Sequence, residues 1–168
     1  MVSSNKSGNS EFTAPWGTLL KILTAVLTII LIGISYIGFS SGRQGSIVTI
    51  FVPLAILIIS SFFIIRGYIL TDNTLLIQRL GWNTKINLSE LKSAEIDPTA
   101  MAKSLRTFGN GGMFCFAGLF YNKKLGSYRA FATDFKKAVI LRFPNRTIVV
   151  TPNEPEKFVM KIKEFSRL

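Results

Sequence analysis

Glu95 and Asp97 stand two apart in a segment that reads as a strand, so both carboxylates share one face. Paired carboxylates are the machinery of glycoside hydrolysis. Here Asp97 precedes Pro98 at the strand's end and nothing else suggests a sugar site, so the pair reads as a solvated strand face. Ser104 and Ser127 could be nucleophiles only with a base beside them, and the chain has no histidine. Arg106-Thr-Phe-Gly-Asn-Gly-Gly-Met113 is glycine-rich like a phosphate loop. It lacks the Gly-Lys-Ser/Thr ending and a following helix pattern, so its glycines read as a flexible connection between two sheets. Cys115 is the only cysteine, which excludes an internal disulfide and a Cys/His zinc site. Its apolar neighbours Met113, Phe114 and Phe116 mark it as a buried structural thiol. No catalytic, metal or cofactor-binding residue is assigned, no cofactor is expected, and the chain reads as a non-enzyme.

The elements that position these residues begin with two apolar runs. Neither Ile22 to Phe39 nor Ile47 to Ile65 contains an Asp, Glu, Lys or Arg. At about 1.5 Å of rise per residue, each is long enough for a hydrocarbon core of roughly 30 Å. Residues 1–15 read as a disordered tail, polar and rich in small side chains. A transmembrane hairpin follows over 16–66, with spans at about 17–39 and 47–65, Trp16 as an interface anchor and Lys21 snorkelling to the headgroups. The first run exceeds the usual h-region of a signal peptide and is read as an uncleaved anchor. Gly38 and Gly42 carry GxxxG spacing, and Pro53 is expected to kink the second span. The short connection 40–46 holds only Arg43, against Lys6 and Lys21 before the hairpin and Arg66, Arg79 and Lys85 after it. That bias places both termini and everything after Arg66 in the cytoplasm of a multi-pass cell-membrane protein.

After Arg66-Gly67 the pattern alternates. Tyr68–Thr71, Thr74–Leu80, Thr84–Leu88, Lys92–Ile96, Cys115–Tyr121, Ser127–Thr133, Ala138–Phe143 and Arg146–Thr151 read as short strands separated by turn residues. A closing helix is announced by Asn153, Pro155 and Glu156, with Phe158, Ile162 and Phe165 as its apolar stripe. The stretches Tyr68-Ile-Leu-Thr-Asp-Asn-Thr-Leu-Leu-Ile-Gln-Arg, Lys85-Ile-Asn-Leu-Ser-Glu-Leu, the Tyr-Arg-Ala-Phe-Ala-Thr-Asp strand and Ile148-Val-Val-Thr-Pro-Asn-Glu-Pro together resemble the bacterial pleckstrin-homology-like (PH-like) domain. The resemblance covers roughly Arg66 to Phe165, and two preceding spans are also similar to family members. It implies an all-β barrel of about seven antiparallel strands capped by a C-terminal helix over 67–168, and it implies no activity. Eukaryotic PH domains bind inositol phosphates through basic residues around the first hairpin. Here that turn is Asp72-Asn73, short and acidic.

The formal net charge is +11. Beside two spans, this excess points to an anionic membrane face rather than nucleic acid. In an up-and-down meander that starts at the membrane, alternate turns return to it. Gly81–Asn83, Pro98–Met113 and Phe135–Lys137 would then bring Trp82, Lys85, Lys103, Arg106, Phe108, Lys136 and Lys137 towards the headgroups, with the turn of Lys123 and Lys124 pointing away. The sequence thus predicts a membrane-anchored binding or scaffolding module whose partners are the bilayer, its anionic headgroups, and other proteins or a second copy of itself. The alternative is an accessory subunit of a membrane transporter or membrane enzyme.

Overall fold

The computed structural model describes residues 9–40 and 46–166. The described residues begin with strand β1 (Ser10–Thr13) and two helices, α1 (Thr18–Ser40) and α2 (Ser46–Ser61). Nine further strands follow: β2 (Ile65–Thr71), β3 (Thr74–Arg79), β4 (Asn83–Asn87), β5 (Ser93–Ile96), β6 (Leu105–Gly111), β7 (Phe116–Asn122), β8 (Gly126–Ala132), β9 (Val139–Arg142) and β10 (Thr147–Val150). Helix α3 (Pro155–Ser166) closes the chain, and a single 3₁₀ turn at Phe135–Lys137 precedes β9. The strands form two sheets, β1-β2-β3-β4 and β5-β9-β10-β8-β7-β6. All pairings are antiparallel except β8 with β10, which is parallel. The domain is therefore neither an all-antiparallel meander nor limited to about seven strands.

The inner faces of the two sheets make the main core. Tyr68, Leu70, Leu75, Ile77 and Ile86 meet Ala117, Phe131, Val139, Leu141 and Val150, and α3 closes the end with Phe158 and Ile162. Helix α3 starts with Pro155 in its first turn, where the missing N–H costs nothing, and buries Phe158 and Ile162 of the expected stripe, with Phe165 partly buried. The central strands of the larger sheet are apolar on both faces, because their outer face is covered too. Phe116, Tyr128, Ala132, Ile140 and Val149 pack there beneath Ala100, Met101 and Leu20, with Trp16 and Leu23 at the margin.

Three expectations are corrected. Ser10–Thr13 is not part of a disordered tail: it pairs antiparallel with β2 in the register Ser10↔Leu70 to Thr13↔Gly67. Phe12 lies in the core, its ring 5.1 Å from that of Phe158. Residues 1–8 of that tail lie outside the described residues. The second apolar run is not one helix. Helix α2 ends at Ser61, and Ile65, only 1 % exposed, already belongs to β2. The run stays apolar because its end is strand core. The first span, expected at about 17–39, likewise begins inside the domain: Leu20 is fully buried, and Thr24 donates to the Gly112 carbonyl at 3.2 Å. Among the described residues, α1 is the one helix long and apolar enough to cross a membrane, and α2 is a shorter apolar helix. The two helices pack closely. The Ser35 hydroxyl lies 3.1 Å from the Ile50 carbonyl, and a Cβ at Gly38 would meet Thr49 at 2.8 Å. Gly42, the other half of the expected spacing, lies outside the described residues.

Candidate functional site: an open groove with two unpaired arginines

The six-stranded sheet is wider than the four-stranded sheet facing it. Its β6 and β7 edge overhangs, and the inner face of that overhang is left bare. Phe108 is 75 % exposed and Leu105 71 %, with Leu119 and Tyr121 about half exposed beside them. The overhang bounds a cavity of about 710 Å³, with Phe63, Arg79, Phe108, Leu119, Arg129 and Phe131 among its lining residues. That volume lies within the roughly 300–1,000 Å³ of small-molecule sites. Ser60, near the end of α2, lines it as well. Gly109 and Gly118 face each other across β6 and β7 with positive φ (104° and 143°), and a Cβ on either would overlap the opposite backbone. This close approach shapes the floor of the groove.

Arg79, at the end of β3, reaches into this groove. Its guanidinium lies 5.8 Å from the Phe63 ring centre, 5.4 Å from Trp82 and 5.3 Å from Phe131. Arg129 on β8 lies 5.3 Å from the Phe131 ring, so the two cations share one aromatic surface. Neither makes an ion pair among the described residues, and Arg79 Nε is buried without a hydrogen-bond partner. Burial, with Arg129 adding to it, holds the Arg79 pKa below its usual value. Each aromatic contact returns about 0.5–2 kcal/mol. An unsatisfied buried donor costs about 1–3 kcal/mol, more when charged. Two guanidiniums without a carboxylate partner among the described residues therefore make this groove electropositive. Cys115, fully buried nearby, has its thiol pushed up to about 12 by burial and stays neutral.

The structure splits the expected basic face. Trp82 packs edge-on against Phe63 at 4.9 Å, just past the end of α2. Arg106 donates to the Gly109 carbonyl at 3.0 Å and lies along Gly111, the neighbour of the Gly112 that touches Leu23 of α1. Trp82 thus stands at the helix end of the domain, while Arg106 pairs opposite Phe120 further along β7 and only its side chain runs back towards that end. Lys103 does not reach it. It lines a cavity with Lys123 and Lys124, and Asn122 ties that turn to the Ala100 carbonyl and the Ser104 hydroxyl, each at 2.8 Å. At about 3.3 Å per residue, the length of β7 separates it from the Gly112 contact by roughly 20 Å. The meander argument failed here because residues 97–104 cross the outer face of the larger sheet instead of turning directly. Lys136 and Lys137 follow β8 beside the first turn of α1, where Lys137 donates to the Asn153 carbonyl at 2.7 Å. Lys85 is exposed on β4 and borders a second cavity that shares Arg129 and Phe131 with the groove. The expected flexible connection at Arg106–Met113 is largely strand β6. Glu95 and Asp97 face separate cations, Arg142 at 3.9 Å and Lys124 at 2.6 Å.

The family model for the bacterial PH domain matches residues 66–165. The chain belongs to the bacterial PH domain family. No curated protein and no solved structure matches it. In this PH domain, β1 and the first turns of α1 complete the two cores although both precede the matched segment. Sequence reasoning passed over Arg129, Phe131 and the role of Arg79. The available signal was Phe116-Ala-Gly-Leu-Phe-Tyr, apolar on both strand faces beside a glycine-rich neighbour, which marks a sheet needing a second cover.

Proposed function

We propose that the protein is a membrane-anchored binding module whose α1–α2 hairpin crosses the cell membrane twice and holds the PH domain against the cytoplasmic face, with both termini inside. The observation that carries this reading is the pairing of β1 with β2, which flank the hairpin on either side. A chain that leaves from one strand and returns to its hydrogen-bonded neighbour must cross a bilayer an even number of times. The apolar exposure of α1 and α2 supports two crossings rather than none: Ile29, Ile37, Phe39, Ile47, Phe51 and Ile58 are all more than half exposed. The Lys/Arg bias supports the orientation. Binding rather than catalysis is proposed because the chain has no histidine and its open groove presents aromatic rings and arginines. Trp82 and Arg106 are the surface residues proposed to meet headgroups. An accessory role beside a membrane transporter or enzyme would use the same groove towards a protein partner.

The test is side-specific labelling of the full chain with a Cys115→Ala background. An impermeant maleimide added to spheroplasts should modify Gly42→Cys, while Asn145→Cys should react only after permeabilisation. Outside labelling of Asn145→Cys would reverse the orientation. Protection of both positions would remove the crossing.

A further inference from the structure

We infer that the groove between Arg79, Arg129 and the β6–β7 overhang holds one anionic phospholipid of the adjoining leaflet, its phosphate between the two guanidiniums and an acyl chain along Phe108, Met113 and Leu119. The inference rests on the membrane-anchored reading above and names the ligand class of its groove. Three observations choose this occupant. The first is charge: two arginines share the Phe131 ring with no carboxylate among the groove-lining residues, and a guanidinium fork matches the planar pair of oxygens that a phosphate or carboxylate presents. The second is the lining beyond them, which is apolar and left uncovered by the fold, as a hydrocarbon chain requires. The third is position. Ser60 and Phe63 bracket the end of α2, so the mouth opens where the apolar helix meets the domain. A soluble anion would satisfy the first observation alone. This is not a first-hairpin site: the Asp72-Asn73 turn lies at the opposite end of β3 from Arg79.

The test uses the full chain in delipidated detergent micelles and native mass spectrometry, with dioleoyl phosphatidylglycerol and dioleoyl phosphatidylcholine added in equal amounts. One phosphatidylglycerol should be retained per chain, at least tenfold over phosphatidylcholine. Arg129→Gln and Arg79→Gln should each lower that retention about tenfold. Leu119→Trp, which fills the groove without touching charge, should lower it similarly, and Lys123→Gln with Lys124→Gln should leave it unchanged. Melting curves check that each variant folds, and Arg129→Gln at an exposed position keeps the test open should Arg79→Gln unfold. Equal retention of the two lipids overturns the proposal, as does retention unaffected by Arg129→Gln or displacement by glycerol 3-phosphate. A dimer broken by Phe108→Asp and indifferent to lipid would assign the groove to a second copy instead. None of these results alters the labelling pattern that tests anchoring, so the two readings fail separately.

Discussion

Phe12→Ala separates a structural first strand from a loose tail. Phe12 is 4 % exposed and stands edge-on to Phe158 at 5.1 Å, on β1, the strand that covers the β2 edge. Truncating a buried phenylalanine costs about 3–5 kcal/mol, transfer and cavity terms together. A domain of this size has about 5–15 kcal/mol in all. The single thiol supplies the assay. Cys115 is fully buried, so in the full chain its labelling reports opening of the core. At about 1.4 kcal/mol per tenfold, the substitution should speed labelling by roughly two to three and a half orders of magnitude. Glu11→Ala, one residue away and exposed, should change it by no more than about threefold. Equal rates for the two variants would refute the integration of residues before the hairpin into the domain.

High pH should destabilise the domain through Cys115 and Tyr68. Burial raises the Cys115 pKa from 9.0 to about 12 and the Tyr68 pKa from 10.0 to about 12. The fold prefers the protonated forms, so their contribution is full below about pH 9 and lost as the pH climbs towards 12. At pH 11 the thiol alone accounts for about 2–3 kcal/mol. Melting temperatures should fall steeply above pH 9, and Cys115→Ala should flatten that fall; an identical slope in the variant would contradict it. Gly38→Val should force α1 from Thr49 at a cost of about 1–3 kcal/mol, read as at least fivefold faster hydrogen exchange across Ile47–Ile59. Unchanged exchange would show that the close approach is not needed.

Local patterns carried most of β2, strands β3 to β5 and β7 to β10, and the α3 stripe, because alternation and a period near 3.6 are written within a few residues. The strand Ser-Glu-Phe-Thr offers one apolar residue, and its partner lies beyond both helices, so no local window shows the pair. Strand β6 is glycine-rich and exposed at nearly every position, the opposite of a propensity-driven strand. The groove was hidden for a different reason. Arg79 looks like any strand-end cation until Phe63, Trp82 and Phe131, from three separate segments, converge on it.

The β1–β2 pairing makes the two helices a connection inside the domain rather than a stalk beneath it. That imposes an order on synthesis. Ser10–Thr13 leaves the ribosome first but has nothing to pair with until Ile65–Thr71 appears, after the whole hairpin. Leu20 must likewise wait for the strands that bury it, the last of which is β10. Closing a loop of this length costs only a little more entropy than closing a short one, so the delay is one of timing rather than stability. In the interval β1 is a strand without its partner, the kind of edge that pairs with strangers. Successful return of the hairpin is what seals it, so completion of the helices and protection of the domain from mispairing become one event.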